Sequence, residues 1–262
     1  MSWSLFPPRT REVQFDERWG FVGKKEAHCD PNDPLDRFRG DDWDHTAVDP
    51  ESRLLLELVP GKRTAENCRK VIASVKQRTG GRTDLLLTSD EHTPYKTGIE
   101  AIYSRKVAQP KRPGPGRPPK PKNVMPEDLC YATVRKTRKR GRIVEVVRLV
   151  MFGTAALLKA LLERSTVSRT INTAFVERNN GTDRGQNGRK RRKTYAFSKD
   201  WDVHQAASYF IGFSYNFCWP VRTLRIKGRD DHWQPRTPAM AAGLADHVWS
   251  IEEWLTYPTR PG

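Results

Sequence analysis

The sequence predicts an α/β fold, a mixed sheet flanked by helices, and three observations carry that expectation. Three strand-like segments precede the first helical stripe. A short, continuously apolar run then sits between two helical patterns, as a strand buried on both faces does. The 262 residues suffice for one good core with additions, since single domains run to roughly 100–200 residues.

Residues 11–22 read as the first strand. Residues 42–49 and 53–59 read as a hairpin around the turn Asp49-Pro50-Glu51-Ser52, which makes three antiparallel neighbours. The acidic, turn-rich loop over 30–36 reads as solvated. Thr64 is placed to cap a helix whose apolar stripe is Cys68, Val71, Ile72 and Val75, closed by Gly80-Gly81. Residues 85–87 form the buried strand, which leads into Ser89 and Asp90, and a helix follows over 94–103. Three strands, a helix, a strand and a helix suit the central strand order of the ribonuclease H-like fold.

Residues 109–123 are rich in Pro, Lys and Arg and read as an extended linker. Residues 131–138 and 142–150 alternate as two strands around Lys139-Arg140-Gly141, a basic hairpin. Linker and hairpin together are expected to form an insertion over 105–150. Leu157, Leu158, Leu161 and Leu162 mark the next helix. A further helix is expected from residue 172, although Gly181, Gly185 and Gly188 each weaken it by about 1 kcal/mol relative to Ala. Residues 200–219 are helical, and 237–257 carry short amphipathic pieces. The expected organisation is an N-terminal extension (1–10), a ribonuclease H-like domain (11–200) and a helical C-terminal region (201–262).

Lys and Arg number 47 against 31 Asp and Glu, a net charge of +16, for which a polyanionic partner is the simplest reason. A membrane role is disfavoured, because no apolar stretch approaches the roughly 20 residues that span a bilayer. The first residues lack the pattern of a signal peptide, so a cytoplasmic, nucleoid-associated location is expected. The four cysteines, Cys29, Cys68, Cys130 and Cys218, form no Cys-x-x-Cys pair, which argues against a zinc ribbon or a disulfide framework. The six histidines show no spacing of a zinc hydrolase, and no Gly-x-Ser-x-Gly elbow presents a serine nucleophile.

Against this basic background three acidic residues stand out. Asp16 interrupts the first strand, Asp90 ends the buried one, and Glu177 lies in Phe175-Val176-Glu177-Arg178 on the helix after residue 172. Phosphodiester chemistry needs charge compensation at the attacking and leaving oxygens, which two divalent ions about 3.5–4 Å apart supply, and hard Mg²⁺ or Mn²⁺ takes carboxylate oxygens. If the first strand lies beside the buried one, Asp16 and Asp90 meet, and Glu177 completes the cage from a helix across the sheet. Glu17 is expected on the opposite sheet face from Asp16. Asp84, Asp44 and Asp49 read as strand-start or turn residues, and His92 as a surface histidine. Arg184 lies two turns beyond Glu177, placed for phosphate. The run Arg189, Lys190, Arg191, Arg192 and Lys193 extends that path, and Arg135, Lys136, Arg138, Lys139, Arg140 and Arg142 of the hairpin form a second basic surface for DNA.

The segments 13–25, 88–91 and 175–180 resemble the three catalytic blocks of DDE-type insertion-sequence transposases, most closely the IS-one-like group. Residues 215–225 and 236–244 are similar to a C-terminal signature of such enzymes. The resemblance implies a ribonuclease H-like catalytic domain with Asp16, Asp90 and Glu177 as metal ligands, and Arg184 as the basic residue after the Glu. It also implies metal-dependent 3′-end cleavage and strand transfer on transposon ends and target DNA by a homo-oligomer. Such enzymes usually carry an N-terminal DNA-recognition region, and Asp16 stands almost at the start here, so that region is expected to be missing. The alternatives are a nuclease of the same fold without strand transfer and a non-catalytic DNA-binding remnant.

Overall fold

The computed structural model describes residues 9–110, 119–191, 193–228 and 231–258. Most of the expected N-terminal extension, the centre of the Pro-rich linker and Arg192 lie outside the described residues. In chain order come β1 (Glu12–Val22), β2 (Gly40–Val48), β3 (Leu55–Val59), α1 (Ala65–Arg78), β4 (Leu86–Ser89) and α2 (Thr93–Tyr103). A small pair, β5 (Arg105–Val107) and β6 (Lys122–Val124), precedes β7 (Cys130–Lys139), β8 (Arg142–Phe152), α3 (Ala155–Arg164), α4 (Ala174–Gln186) and α5 (Trp201–Cys218). A two-residue ribbon, β9 (Ile226–Lys227) and β10 (Trp233–Gln234), and the short helices α6 (Pro238–Ala241) and α7 (Ile251–Thr256) end the fold.

Six strands form one mixed sheet in the order β3-β2-β1-β4-β7-β8. β1 is antiparallel to β2 and parallel to β4, and β4 is parallel to β7. The mixed sheet flanked by helices was expected, and its order is compatible with a ribonuclease H-like arrangement. Thr64 caps α1 by accepting from the backbone N–H of Asn67, as its place before the apolar stripe requires.

One expectation is corrected. Residues 105–150 are not an insertion as a whole, because β7 is a central strand paired along Leu86–Cys130 to Ser89–Thr133 with β4. The first five residues of β7, Cys130 to Val134, are buried, while Arg135, Arg138, Lys139 and Arg140 run out past the sheet into solvent. The expected hairpin is present as β7 and β8, and basic composition at its exposed end hid only that the buried end of β7 pairs into the main sheet.

The strand period of two divides the sheet into two chemically different faces. Val13, Phe15, Ala47, Leu85 and Leu87 pack with Val71, Ile72 and Val75 of α1 and Tyr95 and Ile99 of α2. On the other face Val48, Leu55 and Leu58 pack with Val176 of α4, and Leu86 and Cys130 pack with Leu161 of α3. Gly181 and Gly185 of α4 have open space where a Cβ would stand, so they cost helix propensity without loosening the packed side.

Candidate functional site

The even positions of β1 hold α4 in place one after another. Gln14 accepts through Oε1 from the backbone N–H groups of Phe175 (3.0 Å) and Val176 (3.2 Å), satisfying two open donors of the helix start. Asp16 accepts through Oδ2 from Asn180 Nδ2 at 2.8 Å, and Arg18 reaches Asp183 Oδ2 at 2.5 Å. Successive even residues of the strand therefore engage the helix at 175–176, 180 and 183. This fixes the axial position and rotation of α4, and with them Glu177.

Asp90 arrives by register. Gln14 pairs with Thr88 in the parallel β1–β4 ladder, so two residues further on Asp16 and Asp90 stand side by side. Oxygens of Asp16, Glu17 and Asp90 lie within 4.8 Å of one another, a cluster able to hold a metal ion. Asp90 is also held from behind, its Oδ1 accepting from the His92 backbone N–H at 3.0 Å. Thr46, opposite Asp16 on β2, donates to the Asp16 carbonyl (3.1 Å) and to Asn180 Oδ1 (3.2 Å), which orients the Asn180 amide toward the carboxylate.

The electrostatics agree with this crowding. Burial, and next the charge of Asp90, push the Asp16 carboxyl up to about 6, with Glu177 adding to the rise. Burial and then Asp90 push Glu17 up to about 7, against the opposing charge of Arg63. Carboxylates held together out of water without a cation resist ionisation, and a divalent ion removes that penalty. Their oxygen-only donor set suits a hard cation.

Glu177 is placed differently from the expectation. It lies on the α4 face turned to β1, near enough to raise the Asp16 pKa, but its Oε1 accepts from Lys136 Nζ and from Thr173 Oγ1, the latter at 2.5 Å. Lys136, expected on the DNA surface, is instead ion-paired to Glu177, because its even position on β7 turns it to the α4 face. The structure brings Asp16 and Asp90 together and leaves Glu177 beside them in an ion pair. Glu17, expected on the far face, does reach the Asp90 carboxylate, since Asp90 stands past the end of β4 where the sheet no longer separates the faces.

The basic run after α4 divides. Lys190 is buried and cannot contact DNA: its Nζ binds Asp44, which also accepts from Arg18 Nε at 3.0 Å. Burial works to raise the Asp44 pKa, but Lys190 and Arg18 hold it well below the usual carboxylate range. Asp44, read as a turn residue, is thus the anchor of the run. Arg191 and Lys193 are exposed, Arg189 is half-buried, and Arg184 is half-buried in the last turn of α4. On the hairpin, Arg135, Arg138, Lys139, Arg140 and Arg142 are exposed, with Arg135 3.5 Å from Glu91. Among the described residues no helix is long and apolar enough to cross a membrane.

No protein-family model matches the chain, and no curated protein matches it significantly. The chemistry of the site therefore carries the functional reading.

Proposed function

We propose that this protein is a metal-dependent polynucleotidyl transferase of ribonuclease H-like fold, the catalytic part of an insertion-sequence transposase. The observation that carries this reading is the meeting of Asp16 and Asp90 at adjacent positions of parallel strands, their oxygens within 4.8 Å together with Glu17. Mg²⁺ or Mn²⁺, two ions in the full reading, would compensate charge on the attacking and leaving oxygens of the phosphodiester. Asp16 and Asp90 would hold the metal, and Glu177 would join them once Lys136 gives it up. Asn180 and Gln14 position Asp16 and Glu177 relative to each other.

The exposed cations support a DNA partner on two sides of this site. Arg135 and the hairpin tip lie on the β7 side, and Arg191 and Lys193 follow α4. Their contacts would go to phosphate and so add affinity without sequence preference. Transposon ends and target DNA as substrates, a homo-oligomer on DNA and a nucleoid location belong to the same proposal.

The test is cleavage and strand transfer on labelled DNA bearing the element's terminal repeats, with Mg²⁺ or Mn²⁺, comparing the chain with Asp90→Asn. Metal-dependent joining that disappears in the variant, with DNA affinity within severalfold, is the expected outcome. Undiminished cutting by Asp90→Asn would refute the metal assignment. One observation favours a second reading, a DNA-binding remnant: the ammonium of Lys136 already satisfies Glu177. Tight DNA binding without turnover in both proteins would establish it.

A further inference from the structure

On the sheet face turned away from α4, a second cluster of side chains lies directly behind Asp16. Glu17 of β1 and His45 of β2 are cross-strand partners in the antiparallel register. Cys68, in the first turns of α1, comes down onto them, and donor atoms of the three lie within 4.8 Å of one another. All three side chains are sealed from solvent. His92, just before α2, closes the cluster from the rim, its Nε2 3.7 Å from Glu17 Oε1 with 19 % of its side chain exposed.

The polar atoms turned into this cluster are without partners. Glu17 Oε1, His45 Nε2 and His92 Nε2 are all buried and make no hydrogen bond. The other edges of Glu17 and His45 are engaged: Arg63 donates to Glu17 Oε2 at 3.1 Å, and His45 Nδ1 lies 3.1 Å from the Trp43 carbonyl and 3.3 Å from that of Val59. Carbonyls only accept, so Nδ1 carries the proton and the lone pair of His45 is on Nε2, aimed at Cys68 and Glu17. A backbone carbonyl fixing the tautomer from behind is how metal-bound histidines are oriented. Buried polar atoms without partners are costly, and several converging on one point call for something to fill it.

We infer that Glu17, His45 and Cys68, with His92 at the rim, form a binding site for a divalent transition metal of the zinc type. One sulfur, one imidazole nitrogen and one carboxylate oxygen make a donor set that favours zinc over hard Mg²⁺ and leaves the fourth tetrahedral position to the His92 rim. The carboxylate and a thiolate together offset the two positive charges of the ion. Burial pushes the Cys68 thiol up to about 12, so without metal it keeps its proton; coordination forms the metal–sulfur bond and releases that proton to water. The site ties β1, β2, α1 and the start of α2 together behind Asp16 and Asp90. Its role is to hold that end of the sheet, and it stands whether or not the Asp16–Asp90 pair is catalytic.

The experiment is titration of the full-length, metal-stripped chain with cobalt(II) alone, followed by zinc displacement. A sulfur-to-cobalt charge-transfer band with tetrahedral visible bands, bleached by zinc, is expected. Asp90→Asn should retain that band, because its carboxylate belongs to the neighbouring oxygen cluster. Cys68→Ser should abolish it, and His92→Gln, at the rim, should weaken cobalt binding by at least about tenfold. Because Cys68→Ser removes a buried group and can unfold, zinc-edge X-ray absorption of the wild-type protein gives a second measurement. One sulfur at about 2.3 Å beside nitrogen and oxygen ligands is expected. A shell of nitrogen and oxygen only, or a cobalt band unchanged in Cys68→Ser, would overturn the assignment.

Discussion

Replacing Lys190 by Ala isolates the structural half of the basic run. The Lys190 and Asp44 side chains are 1 % and 0 % exposed, and Arg18 at 1 % is shared between Asp44 and Asp183. Two cations therefore face two carboxylates in a sealed pocket between β1, β2 and α4. Removing the ammonium leaves a buried carboxylate uncompensated, because Arg18 cannot neutralise both. Breaking a buried pair from one side costs about 3–5 kcal/mol. For a chain of this size about 2–4 °C of melting temperature goes with each kcal/mol, which gives a fall of roughly 6–20 °C.

Arg191→Ala, one residue along, is the control. Arg191 is exposed and donates to the Gly185 carbonyl at 2.8 Å, so its loss should change stability by no more than about 0.5 kcal/mol. If it contacts one phosphate, the slope of log affinity against log salt should fall by about 0.9. Thermal denaturation and a salt series of DNA binding read both effects. The double variant Asp44→Asn/Lys190→Met should be less destabilised than the sum of its singles, because neither charge is then stranded. A Lys190→Ala protein melting within 2–3 °C of wild type, roughly what 1 kcal/mol produces, would refute the buried-anchor reasoning.

Asn180→Ala removes the amide that orients the Asp16 carboxylate, and Mn²⁺ affinity measured by calorimetry should drop about 10–100-fold, with a loss of about 1–3 kcal/mol of stability from the buried hydrogen bonds. An unchanged affinity would mean that Asp16 needs no positioning or binds no metal. Stability of the metal-free chain should fall as pH rises. Asp16 and Glu17 have folded-state values raised to about 6 and about 7 from ordinary values of 3.8 and 4.5. Their contribution is complete below the ordinary values and is lost as pH climbs through about 6 and then 7. Asp16→Asn should flatten the lower part of that decline, and saturating Mg²⁺ should restore stability at neutral pH; a pH profile identical in Asp16→Asn would exclude the crowded carboxylate as its source.

Much of the fold is legible because its signals are local. The Thr64 cap, the stripe from Cys68 to Val75 and the apolar run before Asp90 each declare an element within a few residues, and the observed α1 and β4 follow them closely. Even the meeting of Asp16 and Asp90 needs only the parallel pairing of two such segments. β7 is legible as a hairpin strand but not as a central one, because its composition changes from Cys130-Tyr131-Ala132 inside to Arg138-Lys139 outside, and average composition hides the difference.

Side-chain partners across long sequence separations were not legible at all. Nothing in Gly188-Arg189-Lys190-Arg191 distinguishes the one lysine that turns inward, since the carboxylate that draws it in is Asp44, on another strand. The same holds behind Asp16 and Asp90. Glu17, His45, Cys68 and His92 come from four elements with no ligand spacing between them, and only the antiparallel register of β1 and β2 puts Glu17 against His45. Strand parity then does the rest: Asp16 faces α4, while Glu17, one residue on, faces the sulfur and imidazole behind. In the proposed reading, two adjacent carboxylates serve sites of opposite chemical softness. A metal at the proposed rear site would lower the cost of the Glu17 charge beside Asp16, and so ease ionisation of Asp16 in the pair proposed to bind the catalytic ions.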